Sequence, residues 1–424
     1  MPRRDFTPSS SISIAYFALA HMSLASALFV LAVRPDLPGG FFYHPKMIAL
    51  VHLVTLGWLS GSILGAFYIV APLVLRLPMP VRWPDWTAFT AFGLGTVGMV
   101  SHFWIGQYSG MVWAAFAVAG SIGWVAVRAW RGLPGASAPW PVKLHVALAF
   151  ANILAAAALG ILIGIDRTHG FLGISPLAAT YAHAHIAAIG WVTMMVVGLA
   201  YRLIPMMLPA AMPAGARLAR SAILIEGGLV VITWSLIRGS SVLPVGAALV
   251  AAGLGSFVFE VRRIVRHRMP KPPALPRRDW STWQTHGALL WLLVATCLGV
   301  VQSVGVRGEW GIRLMWLYGV AGLIGFLAQI VTGMEGRLVP LYAWYRALAR
   351  GGGAPPASGA NELPSASFAR VIFIAWSAGV PLLAWGLASE RHAMIVTAAM
   401  LLLCGVAAGA GHLAHMLRKA GRRV

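Results

Sequence analysis

The residues best suited to chemistry gather in one stretch. Tyr181-Ala-His-Ala-His185 opens an apolar run over 186–208 that contains Gly190-Trp191 and closes on Tyr201-Arg-Leu-Ile-Pro205. His183 and His185 stand two residues apart, so on a 3.6-residue helix their side chains point about 200° from each other. They cannot easily share one metal ion and must look into two different spaces. Two more histidines, His52 and His102, fall at a similar depth in their own apolar segments. Neutral imidazole is a good ligand for heme iron and for copper, and an ionisable side chain inside a membrane segment marks a candidate functional site.

The elements that must position these histidines are membrane helices. Of 424 residues, 59% are hydrophobic and 10% charged, where about a quarter charged is usual for a soluble chain. Mean hydropathy is +0.78. Twelve apolar runs approach the roughly 20 residues needed to cross a bilayer as helix, at about 12–33, 46–75, 87–105, 111–130, 142–165, 186–208, 218–237, 243–265, 282–304, 312–342, 368–387 and 393–417. They are too long and too continuously apolar for barrel strands. The expected fold is all-α and polytopic, one integral membrane domain in contact with membrane lipids.

The formal charge of +21 sets orientation rather than nucleic-acid binding. With the N-terminus cytoplasmic, 25 of the 32 Lys and Arg residues fall on that side and seven on the other, a positive-inside pattern. The densest cluster is Arg262, Arg263, Arg266, Arg268, Lys271, Arg277 and Arg278, in a proline-rich segment that reads as a linker. This places the chain in a bacterial inner membrane with both termini cytoplasmic. Cys297 and Cys404 lie within apolar helices and are expected to be buried thiols rather than a disulfide.

An internal repeat organises the spans. Gly57, Gly65 and Pro72 in the second span stand at offsets 0, +8 and +15; Gly190, Gly198 and Pro205 repeat them in the sixth, and Gly325, Gly333 and Pro340 in the tenth. Trp58 matches Trp191, Tyr68 matches Tyr201, and His52 matches His185, each histidine five residues before the first glycine; the third copy has Val320 there and Gly336 at the tyrosine position. The spacing predicts three sequential four-helix units, about 12–130, 142–265 and 282–417, in pseudo-threefold order. Gly57 and Gly190 are expected to let backbones or a flat cofactor approach closely. His21, His145 and His286 each come early in the first helix of a unit and suggest an equivalent packing role.

The stretch His183-Ala-His185 with Gly190-Trp191, Gly198, Tyr201 and Pro205 resembles the ligand helix of the catalytic subunit of heme-copper oxidases, above all the C-type oxidases and nitric-oxide-reductase relatives. The resemblance implies twelve helices in pseudo-threefold order, respiratory electron transfer or nitric-oxide metabolism, a heme-dependent oxidoreductase if the chain is an enzyme, and a partner cytochrome or other membrane subunit. It implies that His183 and His185 bind hemes on opposite sides. This chain departs from the pattern: its histidine pair is on the sixth span rather than the tenth, and the seventh span has no histidine. Shifted by one unit, His52 and His102 take the place of copper ligands facing His183. A simpler arrangement is one bis-histidine heme between His52 and one member of the His183/His185 pair. No tyrosine follows His52 by four residues, where Leu56 stands. The run Gly333-Met-Glu-Gly-Arg-Leu-Val-Pro340 is similar to an element of the NnrS-type heme proteins of nitric-oxide metabolism. Without a Cys-x-x-Cys-His motif, the heme expected is heme b.

Glu226 is the one carboxylate in mid-span and is expected to hydrogen-bond a neighbouring helix, while Glu335 and Arg337 are expected to pair near the inner end of their helix. The competing expectation for the whole chain is a heme-free transporter or channel, since twelve helices with internal repeats also suit secondary transport.

Overall fold

A computed structural model describes residues 8, 11–39, 42–270, 279–306 and 308–421. Lys271, Arg277 and Arg278 of the basic linker lie outside the described residues. Among the described residues twelve helices long and apolar enough to cross a membrane follow one another: α1 Ile12–Val33, α2 Pro45–Leu75, α3 Trp83–Ile105, α4 Tyr108–Gly135, α5 Trp140–His169, α6 Pro176–Met207, α7 Ala216–Arg238, α8 Leu243–Arg266, α9 Trp280–Ser303, α10 Gly308–Arg350, α11 Ala366–Ala388 and α12 His392–Ala420. The chain is an all-α polytopic membrane protein. An even number of crossings brings both termini to one face, here the terminal face; the opposite side is the far face. Large apolar side chains such as Leu94, Trp113, Ile223 and Leu290 point outward, where lipid covers them. Cys297 and Cys404 are free and exposed, which corrects the expectation of buried thiols: on a membrane bundle the outward stripe is as apolar as the core, so hydropathy does not separate them.

The template helices α2, α6 and α10 meet one another at the centre. Each widens into a π-helical segment at the template glycine: Leu53–Ser60, Ile186–Thr193 and Val320–Ala328. Such segments are rare and favour functional sites. Two are tied in the same way, since Ser60 Oγ donates to Thr55 O and Thr193 Oγ1 to Ala188 O, both at 2.9 Å. Trp191 Nε1 donates to Ser60 Oγ at 3.1 Å, joining the second unit to the first. By the same register the counterpart of Ser60 for Trp58 is position 328, where Ala328 has no hydroxyl, and Trp58 Nε1 has no partner among the described residues.

The template glycines pack against the first helix of their own unit. A Cβ on Gly57 would lie 2.3 Å from Ser23 Cβ, on Gly190 2.6 Å from Asn152 Cγ, and on Gly325 2.5 Å from Trp291 Cγ. At Gly57 and Gly190 neighbouring side chains fill the space a Cβ would take, so the glycines let the helices of one unit pack closely. One step along, Gly65 meets Tyr16, Gly198 meets His145 and Gly333 meets Thr285. The structural counterpart of His145 is thus Tyr16, not His21, and His286 is exposed on the outer surface.

Polar groups near the terminal face close the units. Buried Asp85 at the start of α3 accepts from Tyr68 Oη at 2.9 Å, Trp124 Nε1 at 3.1 Å and the Arg128 guanidinium. The repeat partner of Tyr68, Tyr201, reaches Ser221 Oγ at 2.9 Å, and Ser221 also hydrogen-bonds His145 Nε2 at 2.9 Å. In the far-face loop after α1, Arg34 makes two hydrogen bonds to Asp36, which hold its carboxyl down to about 2.

Candidate functional site

His52 sits in the last turn of α-helix before the π segment of α2, and His183 in the corresponding turn of α6. Their rings face each other across the α2/α6 interface, with centroids 6.3 Å apart and planes inclined by 23°. Each ring is held by its Nδ1, which donates to a backbone carbonyl: Ile48 O at 2.8 Å for His52 and Ala156 O at 2.9 Å for His183. A carbonyl only accepts, so the neutral tautomer carries its hydrogen on Nδ1 and leaves Nε2 as a lone pair. Outer hydrogen bonds of this kind orient metal-binding histidines. Phe103 of α3 packs on His52 at 4.8 Å, and Gly160 of α5 leaves room for the His183 imidazole, since a Cβ there would lie 3.0 Å from its Cε1.

His185 looks the other way. Its Nδ1 donates to Tyr181 O at 2.8 Å, and its Nε2 accepts from Tyr318 Oη of α10 at 3.2 Å. The two rings lie 6.0 Å apart at 23°. Tyr318 stands seven residues before Gly325, as His183 stands seven before Gly190. The position five before the glycine in one unit thus meets the position seven before it in the next: His52 with His183, then His185 with Tyr318. In the third interface the corresponding residues are Val320 and Leu50, both buried and apolar.

His102 stands apart from the pair. Its Nδ1 donates to Gly98 O at 2.7 Å, and its Nε2 packs so closely on Gly110 of α4 that a Cβ there would lie 2.0 Å away. Its Nε2 is turned towards α4 rather than towards His52 and His183. Similarly, His185 offers no free nitrogen, as Tyr318 takes its Nε2. Among the described residues no group of three or more His, Cys, Asp or Glu side chains converges as a metal centre.

The far-face loop roofs this layer. Phe42 packs on Tyr181 at 6.2 Å and Trp316 at 5.9 Å, while Tyr43 Oη accepts from Thr180 Oγ1 at 3.2 Å and from the Arg167 guanidinium. Sequence reasoning missed Tyr318, although its repeat register with His183 was readable. It also missed Ala156 and Gly160, whose roles are backbone contact and empty space and leave no signature in residue type.

Glu226 takes the expected role and accepts from Asn152 Nδ2 of α5 at 2.8 Å. Glu335 and Arg337 do not pair. Arg337 turns to Asp279 and to Thr282 Oγ1 at 2.7 Å, whereas Glu335 accepts from Ser62 Oγ at 3.2 Å and lies 3.6 Å from His21 Nε2. Residues two apart on a helix point to opposite sides, the rule that also separates His183 from His185. No family model matches the chain, and no curated protein matches it.

Proposed function

We propose that the chain is a heme-binding membrane protein of redox or gas metabolism, similar in plan to the heme-copper oxidase catalytic subunit and the NnrS-type proteins, and that His52 and His183 hold the iron. The observation that carries this reading is the pairing of two imidazoles across α2/α6, each anchored through Nδ1 with Nε2 left to bind. Two neutral imidazoles, each oriented through Nδ1 and lying side by side across the interface, are a donor set that fits heme iron. A bound heme b would supply one-electron transfer. His52 and His183 would hold it, Phe103 would pack beside it, and the Phe42–Tyr43 roof would keep bulk water off that end. With both imidazoles engaged in holding the group, electron transfer would be favoured over reduction of oxygen, and His185–Tyr318 forms a separate hydrogen-bonded pair. The proposed setting is a bacterial inner membrane with cytoplasmic termini and a cytochrome or other membrane subunit as redox partner.

The test is an absorption spectrum of the purified, reduced protein together with iron analysis. Soret and α bands with about one iron per chain support the reading; their absence, with no iron, sinks it. A heme-free transporter is the second reading. It is favoured by a cavity of about 90 Å³ where α2, α6, α8, α9 and α10 meet, and it predicts solute flux in proteoliposomes without any heme spectrum.

A further inference from the structure

A second group of ionisable side chains lies well away from the histidine layer. Ser62 follows His52 by ten residues and so sits roughly 15 Å closer to the terminal face. There it donates to Glu335, and Glu335 in turn faces His21 of α1. His21 Nδ1 lies 2.9 Å from Phe17 O and must donate to it, which turns Nε2 towards Glu335 Oε2 at 3.6 Å. A neutral imidazole nitrogen in that tautomer is a lone pair, and an ionised carboxylate only accepts. Two lone pairs facing each other inside an apolar bundle repel and leave a buried charge with a hydroxyl donor but no counter-charge. One added proton removes both penalties, as imidazolium with carboxylate or as imidazole with carboxylic acid. At 3.6 Å the contact is an ion pair or is bridged by water rather than a direct hydrogen bond.

Glu335 also forms part of the wall of two cavities. One, of about 30 Å³, lies inside the third unit between α9, α10, α11 and α12; Ser281, Gln284, Thr332 and His412 are its other polar residues besides Trp280. That volume holds one or two water molecules. Gln284 is 2% exposed, and neither atom of its amide has a partner among the described residues. A buried amide without partners is costly, so water in this cavity is the partner the structure calls for. Trp280 and Ser281, the first residues of α9, line its end nearest the terminal face. The other cavity is the central one of about 90 Å³, apolar apart from Ser62, Thr285 and Glu335.

We propose that His21 and Glu335 form an intramembrane proton-carrying site, which holds one proton between them and exchanges it with water in the third-unit cavity. On uptake the proton comes from that water and the charge of the pair goes from −1 to zero; on release it returns the same way. The other titratable group lining this space is His412 of α12, whose Nε2 accepts from Ser365 N at 2.9 Å, and the Arg337–Asp279 pair lies on the same helix ends outside the lining. From α2, α6, α8, α9 and α11 the two cavities receive hydroxyls, the Gln284 amide, the Trp280 indole and apolar groups. The proposal stands apart from heme binding.

The test is infrared difference spectroscopy on the full chain in lipid, titrated between about pH 5 and about pH 9. Wild type should show a one-proton carboxyl or imidazolium transition, and E335Q should lack it while keeping wild-type iron content. H21Q should move the midpoint by one pH unit or more, a tenfold change in proton affinity. If E335Q does not fold, E335D should keep the transition with a shifted midpoint. An unchanged transition in E335Q, an unchanged midpoint in H21Q, or an unshifted midpoint in E335D overturns the proposal.

Discussion

The α2/α6 and α6/α10 interfaces share one backbone geometry and differ in one side chain. Both bring together a residue five before the template glycine and one seven before it in the next unit, with ring planes at 23° in each. In the first, His52 meets His183, and each donates through Nδ1 and leaves Nε2 as a lone pair. In the second, His185 meets Tyr318, and the phenol hydroxyl fills the nitrogen. The chemistry of an interface is thus decided by whether the second residue is an acceptor or a donor. At the corresponding positions of the third interface stand Leu50 and Val320, both buried, in separate apolar clusters.

The largest effect expected from breaking this comparison is loss of heme from the first interface alone. H52A and H183A should each lower heme affinity by more than the about 10–100-fold that losing an outer-shell partner costs, read as heme per chain after purification, while H185A stays near wild type. Equal losses in H183A and H185A would place the ligand on the other face of α6. Next in size, Y318H should give the α6/α10 interface a second free imidazole, raising heme content from about one towards two per chain with a bis-histidine spectrum. No gain would show that register alone does not make a site.

A smaller effect tests the shared frame. G190A drives a methyl group into Asn152 and Leu229 and should cost about 1–3 kcal/mol, whereas G120A, with no atom near its Cβ, should stay within about 0.5 kcal/mol; thermal unfolding in detergent compares them. Smallest of all, Y318F removes the hydroxyl from His185 and should cost about 0.5–1.5 kcal/mol with unchanged heme content. A drop in heme in Y318F would couple the two interfaces.

Much of the frame was legible because a repeated register is a one-dimensional signal. The offsets of Gly57, Gly65 and Pro72 recur in α6 and α10, and the structure places a π segment at each first glycine. The opposed directions of His183 and His185 followed from helical period alone, and the same period, applied to Glu335 and Arg337, separates them too. What the glycines contact was not legible. Gly57 is as suited to a cofactor's edge as to Ser23, and only the packing of α1 on α2 decides for Ser23. The same holds for His102: its depth was readable, but its packing against Gly110 depends on how α3 and α4 cross.

The sequence by itself determined the twelve crossings, the three-unit order and the two-sidedness of the histidine helix, because hydropathy, spacing and helical period are properties of one segment at a time. Only the tertiary structure decided that His52 meets His183, that Tyr318 occupies His185, and that Glu335 faces His21. Those pairings depend on which helix lies beside which and at what height. That is settled by close packing between segments far apart in the chain, which no single segment encodes.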